Sequence, residues 1–248
     1  MGKQGTVEEF KMEFERISGL GFIKSTRKGP TGIGKTFEDM LDKIEDNEDA
    51  PDFGEIEIKA HDTIGNSMVT LFTKAPTNPK QSNTYLRERY GVMDTEFGVK
   101  TLHMTVSAIQ KTKSEKYDYD FQIRVNRKEK RIIQMVFDKT GTMIDDSVYW
   151  TFESLEKQLI KKLGTLGLVD VEVQKKLDGT YYHYVGVQYI KGLTIDNMVK
   201  AIEDGAMKID NRIGAYKTGS KKGKTHDHGT GFRMTQNALL KYGTVFEI

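Results

Sequence analysis

The apolar residues of this chain recur with a helical period in several separate stretches. Over residues 6–18 they are spaced by three or four positions, which predicts an amphipathic helix that ends at Gly19. The same spacing predicts helices over residues 36–47, 151–163 and 195–202. Four helices are therefore expected, separated by stretches with a different pattern.

Between these helices, polar and apolar residues alternate with the period of a strand. The alternating runs are residues 68–73, 101–109, 117–125 and 131–138. Residues 169–189 predict two further strands joined at the Asp178-Gly179 turn, a dipeptide typical of hairpins. Residues 164–168 predict a joint between two lobes. Together the strands and helices predict an α/β (α+β) fold.

One more strand is predicted near the centre of the stretch N-E-D-A-P-D-F-G-E-I-E-I-K-A-H, residues 47–61. Ile56 and Ile58 alternate with charged residues, so the isoleucines are expected to face the core while Glu55, Glu57 and Lys59 share the opposite face. The strand over residues 68–73 is expected to pair beside it.

This charged face has the composition of a site for a hard cation. The turn at Pro51-Asp52 can bring a second carboxylate towards Glu57, and carboxylate oxygens are ligands that Mg²⁺ prefers. An amine at Lys59 can then orient or deprotonate an attacking water and offset negative charge in a phosphoryl transition state. The alternative is an amphipathic edge strand whose charges are only solvated.

Composition narrows the class of protein. Of 248 residues, 37% are hydrophobic and 30% are charged, which is typical of a folded domain and not of a disordered chain. The absence of cysteine excludes disulfides and thiolate chemistry and favours a reducing cytoplasm. No apolar run reaches the length of a membrane span, and the first fifteen residues lack the pattern of a signal peptide. We therefore expect a cytoplasmic protein with no membrane partner.

The net charge of +2 says little, but its distribution is uneven. Residues 38–57 contain ten acidic residues and one basic residue, whereas residues 208–233 contain seven basic residues and two acidic ones. An acidic site and a basic segment in one chain suit a polyanion that is held at one place and attacked at another.

A second motif favours a different function. Residues 29–36, G-P-T-G-I-G-K-T, match the P-loop pattern of nucleotide-binding proteins, and the apolar run at residues 132–138 ends in an aspartate suited to Mg²⁺. The residues before Gly29 are polar and basic, however, where a buried strand is expected, and the chain lacks a regular alternation of strands and helices. A P-loop ATPase remains the alternative from another class.

The basic segment carries its own candidate chemistry at His226-Asp227-His228. Two histidines beside a carboxylate suggest zinc, but no third ligand follows at a suitable spacing and there is no cysteine. As a reader of DNA the segment fits better. Arginine can bridge guanine O6 and N7, histidine can donate to guanine, aspartate can accept from cytosine N4, and lysines can hold phosphates.

Pro51-Asp52 and Glu57-Ile58-Lys59 resemble the PD-(D/E)xK nuclease signature. Three further segments, residues 29–39, 71–79 and 212–233, make the resemblance more specific. Together they are similar to the MvaI/BcnI restriction endonucleases, which are relatives of the mismatch-repair nickase MutH.

The resemblance implies a PD-(D/E)xK core with a mixed central sheet flanked by helices and a smaller DNA-recognition lobe. We place the catalytic lobe at residues 1–155 and the recognition lobe at residues 156–248. The implied catalytic residues are Asp52, Glu57, Lys59 and Glu38, and the implied Mg²⁺ ligands are Asp52, Glu57 and Ile58. Glu38 has an equally good interpretation as a solvated helix carboxylate.

The implied DNA contacts extend over the basic segment and one earlier lysine. They are Asp210, Arg212, Lys221, Lys224, His226, His228, Arg233 and Lys35. The family implies a monomer that cuts double-stranded DNA at a C-C-x-G-G target with A or T favoured at the centre, leaves 5′-phosphates and nicks the strands in turn. It also implies a cognate DNA methyltransferase. A MutH-like repair nickase and a catalytically idle DNA-binding module are further alternatives.

Overall fold

The computed structural model describes residues 5–29, 31–41, 51–63, 68–191 and 193–246. The helices are α1 (Val7–Ser18), α2 (Gly32–Met40), α3 (Ser82–Tyr90), α4 (Phe152–Lys162), α5 (Ile195–Glu203) and α6 (Gln236–Tyr242). The strands are β1 (Ile23–Lys24), β2 (Ile56–Asp62), β3 (Val69–Thr73), β4 (Val92–Asp94), β5 (Val99–Val106), β6 (Asp120–Asn126), β7 (Arg131–Phe137), β8 (Met143–Thr151), β9 (Thr165–Lys176), β10 (Gly179–Lys191), β11 (Lys208–Ala215), β12 (Thr225–Asp227), β13 (Gly231–Met234) and β14 (Thr244–Phe246).

Local sequence signals fix several of these elements. At α1, the Thr6 hydroxyl accepts from the Glu9 N–H at 3.2 Å and the Glu9 carboxylate accepts from the Thr6 N–H at 2.7 Å, which forms a capping box. The helix ends before Gly19, as predicted. The helices predicted over residues 151–163 and 195–202 are confirmed as α4 and α5. Helix α2 begins four residues earlier than predicted, and residues 42–47 of that prediction lie outside the described residues.

The chain divides into two compact units, and neither is continuous in sequence. The first comprises Met1–Val69, Leu159–Thr194 and Thr235–Ile248, and the second comprises Thr70–Gln158 and Ile195–Met234. This division differs from the predicted boundary at residue 155. The reason is that the hairpin of β9 and β10, which the prediction placed in the recognition lobe, forms one sheet with β2.

The sheet of the first unit is mixed. Its order is β1-β10-β9-β2, with β14 also paired to β10, and β2 runs parallel to β9 while the other pairs are antiparallel. Phe10 of α1 lies at the centre of the core, with ring centroids 6.2 Å from Phe37 and 5.5 Å from Phe53. Ile56 and Ile58 of β2 are buried in the same core.

The predicted joint at residues 164–168 is wrong, because residues 165–168 are the buried start of β9. Gly167 stands opposite Ile58 in the parallel register. A Cβ at Gly167 would lie 3.2 Å from the Ile56 side chain and 3.4 Å from the Phe10 ring, so a glycine lets this strand pack closely against the core.

The second unit contains two sheets. One has the order β3-β13-β11-β5-β4 with β12 paired to β11, and the other has the order β6-β7-β8. The prediction that residues 68–73 pair beside the central strand is wrong, since β3 pairs with β13 instead. Phe72 of β3 stacks on Phe232 of β13 with ring centroids 4.8 Å apart, and Trp150 meets the same ring edge-on at 5.6 Å. This aromatic packing fixes β3 in the second unit.

Among the helices in the described part of the chain, none combines the length and the apolar composition needed to cross a membrane.

Candidate active site and nucleic-acid interface

A tight turn places Asp52 beside the strand that follows it. Phe53 and Ile56 exchange main-chain hydrogen bonds of 2.9 and 2.7 Å, and Gly54 between them adopts a positive φ of 54°. The Phe53 side chain is buried and anchors the turn in the core. The chain therefore turns back so that Asp52 Oδ2 accepts a 2.8 Å hydrogen bond from the Ile58 N–H.

Glu57 and Lys59 project from one face of β2, because residues two apart on a strand point the same way. Lys59 Nζ lies 2.5 Å from Glu57 Oε1, and Glu57 is only 6% exposed. Burial raises the pKa of Glu57. The Lys59 ammonium opposes this rise and the Asp52 carboxylate adds to it. Glu55, predicted on the same face, lies in the preceding turn and is exposed.

The second oxygen of Glu57 indicates what this cluster can hold. Among the described residues, Glu57 Oε2 is buried and has no hydrogen-bond partner. A buried carboxylate oxygen without a partner is costly unless a cation or another donor meets it. With Asp52 nearby, the donors are hard oxygens, which fit Mg²⁺ better than zinc.

Ile58 is the third predicted metal ligand. Ile58 has its side chain in the core, so only its main-chain carbonyl is available as a ligand atom. Across the described ranges, no group of three or more histidine, aspartate or glutamate side chains is arranged to hold a metal ion. The candidate site is therefore a pair of carboxylates supplemented by main-chain oxygen.

Helix α2 carries two other predicted site residues. Glu38 is half-buried on α2, which packs against β2. Lys35 Nζ forms an ion pair with Asp39 Oδ1 at 2.7 Å, one helical turn away. Residues 32–36 of the P-loop pattern form the first turns of this helix and not a loop. The N–H groups of Gly32 and Lys35 donate to the main-chain oxygens of Gly29 and Thr31, each at 3.1 Å, so neither is open to a nucleotide phosphate.

A second group of predicted residues lies on β11 and β13 of the second unit. Asp210 accepts from Arg233 Nη1 at 2.9 Å and from the Thr105 hydroxyl at 2.8 Å. Arg212 donates to the main-chain oxygens of His228, at 3.0 Å, and Gly229, at 3.3 Å. Both sets of contacts fix the orientation of side chains that can present donors and acceptors to a base edge.

The two histidines of the basic segment stack with an aromatic ring. The His226 ring lies 3.8 Å from the Tyr216 ring at an interplanar angle of 11°, and 3.7 Å from the His228 ring. Burial, His226 and Arg212 lower the pKa of His228. Asp227 accepts instead from Asn83 Nδ2 at 2.9 Å and from the Gly229 N–H at 2.8 Å. Within the described residues no group of three or more histidine, aspartate or glutamate side chains could hold a metal ion, so the zinc ligand set considered from the sequence is not assembled there.

The predicted lysines lie in the turn between β11 and β12. Lys221 and Lys224 are exposed, and Lys221 Nζ lies 5.6 Å from the centroid of the Tyr216 ring. Exposed ammonium groups at the edge of a sheet suit contacts to a phosphate backbone. The turn thus places exposed positive charge beside β11.

Three residues on the recognition side were missed in the sequence analysis. Thr105 and His103 belong to β5, opposite Asp210 and Arg212, and Asn83 of α3 holds Asp227. Alternation predicted β5 as a strand, but only its register with β11 brings these side chains to the site. No sequence motif carries that register.

A sequence model of the MvaI/BcnI restriction endonuclease family matches residues 11–241. Among solved structures, "Restriction endonuclease MvaI-cognate DNA substrate complex" is similar at 48% identity, with 96% of each chain covered and a TM-score of 0.93. "Restriction endonuclease MvaI in the absence of DNA" is similar at 47% identity, with 98% of each chain covered and a TM-score of 0.64. No curated protein sequence gave a significant match.

Proposed function

The chain belongs to the MvaI/BcnI restriction endonuclease family and is therefore a site-specific endodeoxyribonuclease, and we propose that it hydrolyses duplex DNA with Mg²⁺ at a C-C-x-G-G target. The observation that carries the proposal is the group of Asp52, Glu57 and Lys59. It combines a buried carboxylate oxygen that has no partner among the described residues and an ammonium 2.5 Å from the other oxygen of the same carboxylate.

In this proposal the carboxylates of Asp52 and Glu57, with the main-chain oxygen of Ile58, hold the cation. Bound there, Mg²⁺ polarises a phosphate oxygen and lowers the pKa of a water molecule. The Ile58 N–H fixes one oxygen of Asp52, and the turn at Gly54 keeps that carboxylate facing Glu57. The protein thus positions its negative charge before the cation arrives.

Lys59 has a separate role. Its ammonium is held by Glu57 Oε1, so Nζ is directed along the charged face of β2 and not into solvent. From there it can orient the attacking water, accept its proton when deprotonated, and stabilise the charge that develops on the phosphate. Hydrolysis by this route leaves a 5′-phosphate. Glu38 is the candidate for a further carboxylate at the same site.

Target recognition is assigned to the second unit. Arg212 and Arg233 present guanidinium groups suited to guanine, while Asp210, His226 and His228 add acceptors and donors for the other base edges. Lys221, Lys224 and Lys35 are assigned to phosphates. The similarity to a solved relative in complex with its cognate DNA supports the binding of DNA by this chain. The resemblance to the MvaI/BcnI enzymes is the ground for proposing A or T at the centre of the target.

We further propose that the protein acts in the cytoplasm as a monomer, nicks the two strands in turn, and is paired with a DNA methyltransferase that protects the host target. The absence of cysteine suits a reducing compartment. Because an unmodified copy of the target would be cut in the host genome, a site-specific nuclease of this kind needs such a partner.

The test is cleavage of plasmid DNA that carries one C-C-A-G-G site. Wild-type protein with Mg²⁺ is expected to cut there and leave 5′-phosphates, as read by sequencing the ends. Asp52→Ala, Glu57→Ala and Lys59→Ala should abolish cleavage and retain target binding in Ca²⁺, which fills an oxygen site with looser geometry. Lys157→Ala is the matched control, since Lys157 pairs with Glu153 at 2.6 Å on an exposed helix face. Cleavage by Lys59→Ala near the wild-type rate would refute the assignment.

A further inference from the structure

The strand next to the proposed base-reading strand contributes side chains to the same face. β5 pairs antiparallel with β11, with Thr105 opposite Asp210 and His103 opposite Arg212. Directly opposed residues of an antiparallel pair project from the same face, with Cβ atoms about 4.5–5.5 Å apart. The 2.8 Å hydrogen bond from Thr105 to Asp210 is consistent with this geometry.

These side chains line a cavity of about 420 Å³ in the second unit. His103 and Thr105 form one part of its wall, and Asp210, Arg212 and His228 form another. The cavity is therefore bordered by the residues assigned to base recognition and by two residues of β5. Its lining is chemically mixed, with one carboxylate, one guanidinium and two imidazoles.

The imidazole of His103 has space on this face because position 214 is a glycine. A Cβ at Gly214 would lie 2.8 Å from His103 Nε2, which is closer than real Cβ contacts allow. Gly214 follows Arg212 by two positions and so belongs to the same face of β11. The ring of His103 therefore lies over the backbone of the base-reading strand.

The cavity side chains differ in whether their polar atoms already have hydrogen-bond partners. The Asp210 oxygens accept from Thr105 and Arg233, and Arg212 donates to main-chain oxygens. The N–H and C=O of His103 both bond to the Tyr117 hydroxyl, at 2.8 and 3.1 Å. Within the described residues, neither ring nitrogen of His103 makes a hydrogen bond. The ring thus retains its donor and its acceptor.

The protonation of His103 favours contact with a base over contact with a phosphate. Burial lowers the pKa of His103, and Lys116 lowers it further, against an opposing effect of Asp210. A neutral imidazole has one N–H donor and one nitrogen acceptor. It can donate to a purine N7 or a carbonyl oxygen, or accept from an exocyclic amine, in the major groove.

We propose that His103 is a further specificity-determining residue, which reads a base edge next to the base pair contacted by Arg212. Thr105 is a positioning residue, because its hydroxyl orients Asp210 and has no spare donor for a base. This inference rests on the proposed function, in which Asp210 and Arg212 of β11 contact base edges.

The experiment measures binding in Ca²⁺ to the cognate duplex and to duplexes with one base pair changed at each position of the target. His103→Ala should reduce discrimination at one position by about 10- to 100-fold and leave the other positions unchanged. His103→Asn keeps a donor and an acceptor at reduced reach, and should retain part of the discrimination. Gly214→Ala should displace the ring and relax the same position.

The control is His183→Ala, a histidine of β10 in the first unit whose Nδ1 lies 3.6 Å from Glu172. It should leave the preference at every position intact. Replacing each target purine in turn by its 7-deaza analogue, with wild-type protein, tests an N7 contact without any protein variant. If a 7-deaza analogue weakens binding by the wild-type protein but not by His103→Ala protein, the N7 contact belongs to His103.

The outcomes separate this inference from the proposed function. A wild-type protein with no preference for C-C-x-G-G over random duplex would overturn the proposed function. A wild-type preference that His103→Ala keeps at every position, or loses equally at all of them, would overturn the inference alone.

Discussion

Asp145 of β8 accepts hydrogen bonds from two tyrosines of α3, at 2.8 Å from Tyr85 and 2.6 Å from Tyr90. Burial by itself would raise the pKa of Asp145. The hydrogen bonds from Tyr90, Ser147 and Tyr85 outweigh burial, so the pKa lies below its ordinary value. A carboxylate with a depressed pKa stabilises the folded state above its unfolded pKa, and this contribution disappears as the pH falls through the folded pKa.

We predict that Asp145→Asn lowers the free energy of unfolding by about 1–2 kcal/mol at pH 7, with a smaller loss as the pH approaches 3. Urea unfolding at a series of pH values measures this. Asp146→Asn is the matched control, because Asp146 forms an exposed pair with Arg124 at 3.0 Å and such pairs contribute little. A pH-independent effect of Asp145→Asn, or an equal effect of both variants, would contradict the prediction.

Arg212 and Lys221 should differ in what their loss does to DNA binding. Arg212 is held by the main-chain oxygens of His228 and Gly229, whereas Lys221 is exposed in a turn. Arg212→Ala is expected to cost about 1–3 kcal/mol and to relax the choice at one base pair. Lys221→Ala should weaken target and random DNA alike and reduce the salt dependence of binding.

Competition binding at several salt concentrations distinguishes these two effects. Equal losses on target and random DNA for Arg212→Ala would make that residue a phosphate contact.

At the level of single residues, the sequence predicted which residues carry the chemistry of the site better than it predicted their contacts. The alternation around Ile56 and Ile58 was enough to bring Glu57 and Lys59 to one face of a strand. His103 could not be found in this way, because its position depends on the register of β5 against β11, more than one hundred residues away. The pairing of Asp210 with Arg233 likewise depends on the register of β11 and β13.

At the level of elements, the turn over residues 53–56 connects the fold to the site. Gly54 has a φ of 54°, and a Cβ there would lie 2.0 Å from the Gly5 carbonyl oxygen. Gly98 also has a positive φ, of 65°, but a Cβ there would meet open space. An alanine at Gly98 would therefore introduce backbone strain alone, whereas an alanine at Gly54 would introduce both strain and a steric clash.

We predict that Gly54→Ala reduces cleavage by at least about 100-fold, because a displaced turn moves Asp52 by about 1 Å or more from Glu57. Gly98→Ala should cost only about 1 kcal/mol of stability through strain and leave cleavage near the wild-type rate. Cleavage rates and thermal unfolding of both variants measure this. Similar rates for the two variants would show that the turn at Gly54 does not determine the position of Asp52.

The elements that were wrongly predicted share a cause. Residues 164–168 read G-T-L-G-L, a short run of small and apolar residues that a joint and a buried strand have in common. Strand β3 was predicted beside the central strand because consecutive strands are often neighbours. The contact of Phe72 with Phe232, 160 residues later, decides its place instead. The β9–β10 hairpin and helices α1, α4 and α5 were predicted well because their signals are local, whereas α3 and α6 were not predicted.

At the level of the whole molecule, each unit is assembled from separated segments. The first unit gathers three segments around the mixed sheet and contains Asp52, Glu57 and Lys59, and the second contains Asp210, Arg212 and Arg233. The parallel pairing of β2 with β9 joins residues more than one hundred positions apart and sets this division. A single boundary in the sequence cannot describe two units that are each built from separated segments.

The assembly of the active protein follows from the number of sites in a chain. Palindromic targets are usually met by symmetric dimers, in which each subunit cuts one strand. The described residues of this chain hold one group of Asp52, Glu57 and Lys59 and one set of proposed base contacts. A monomer with one such centre addresses one strand at a time, and has to release the DNA and rebind in the opposite orientation to cut the other.

We therefore predict that supercoiled plasmid with one target passes through an open-circular intermediate when the enzyme is limiting. The initial rate should rise linearly with protein concentration, since no association step precedes cutting. A plasmid without the target provides the control for nonspecific nicking. Gel analysis of the time course and light scattering of the protein measure both quantities. Linear product that forms without the intermediate, together with the mass of a dimer, would exclude the monomer mechanism and leave the assignment of Asp52, Glu57 and Lys59 intact.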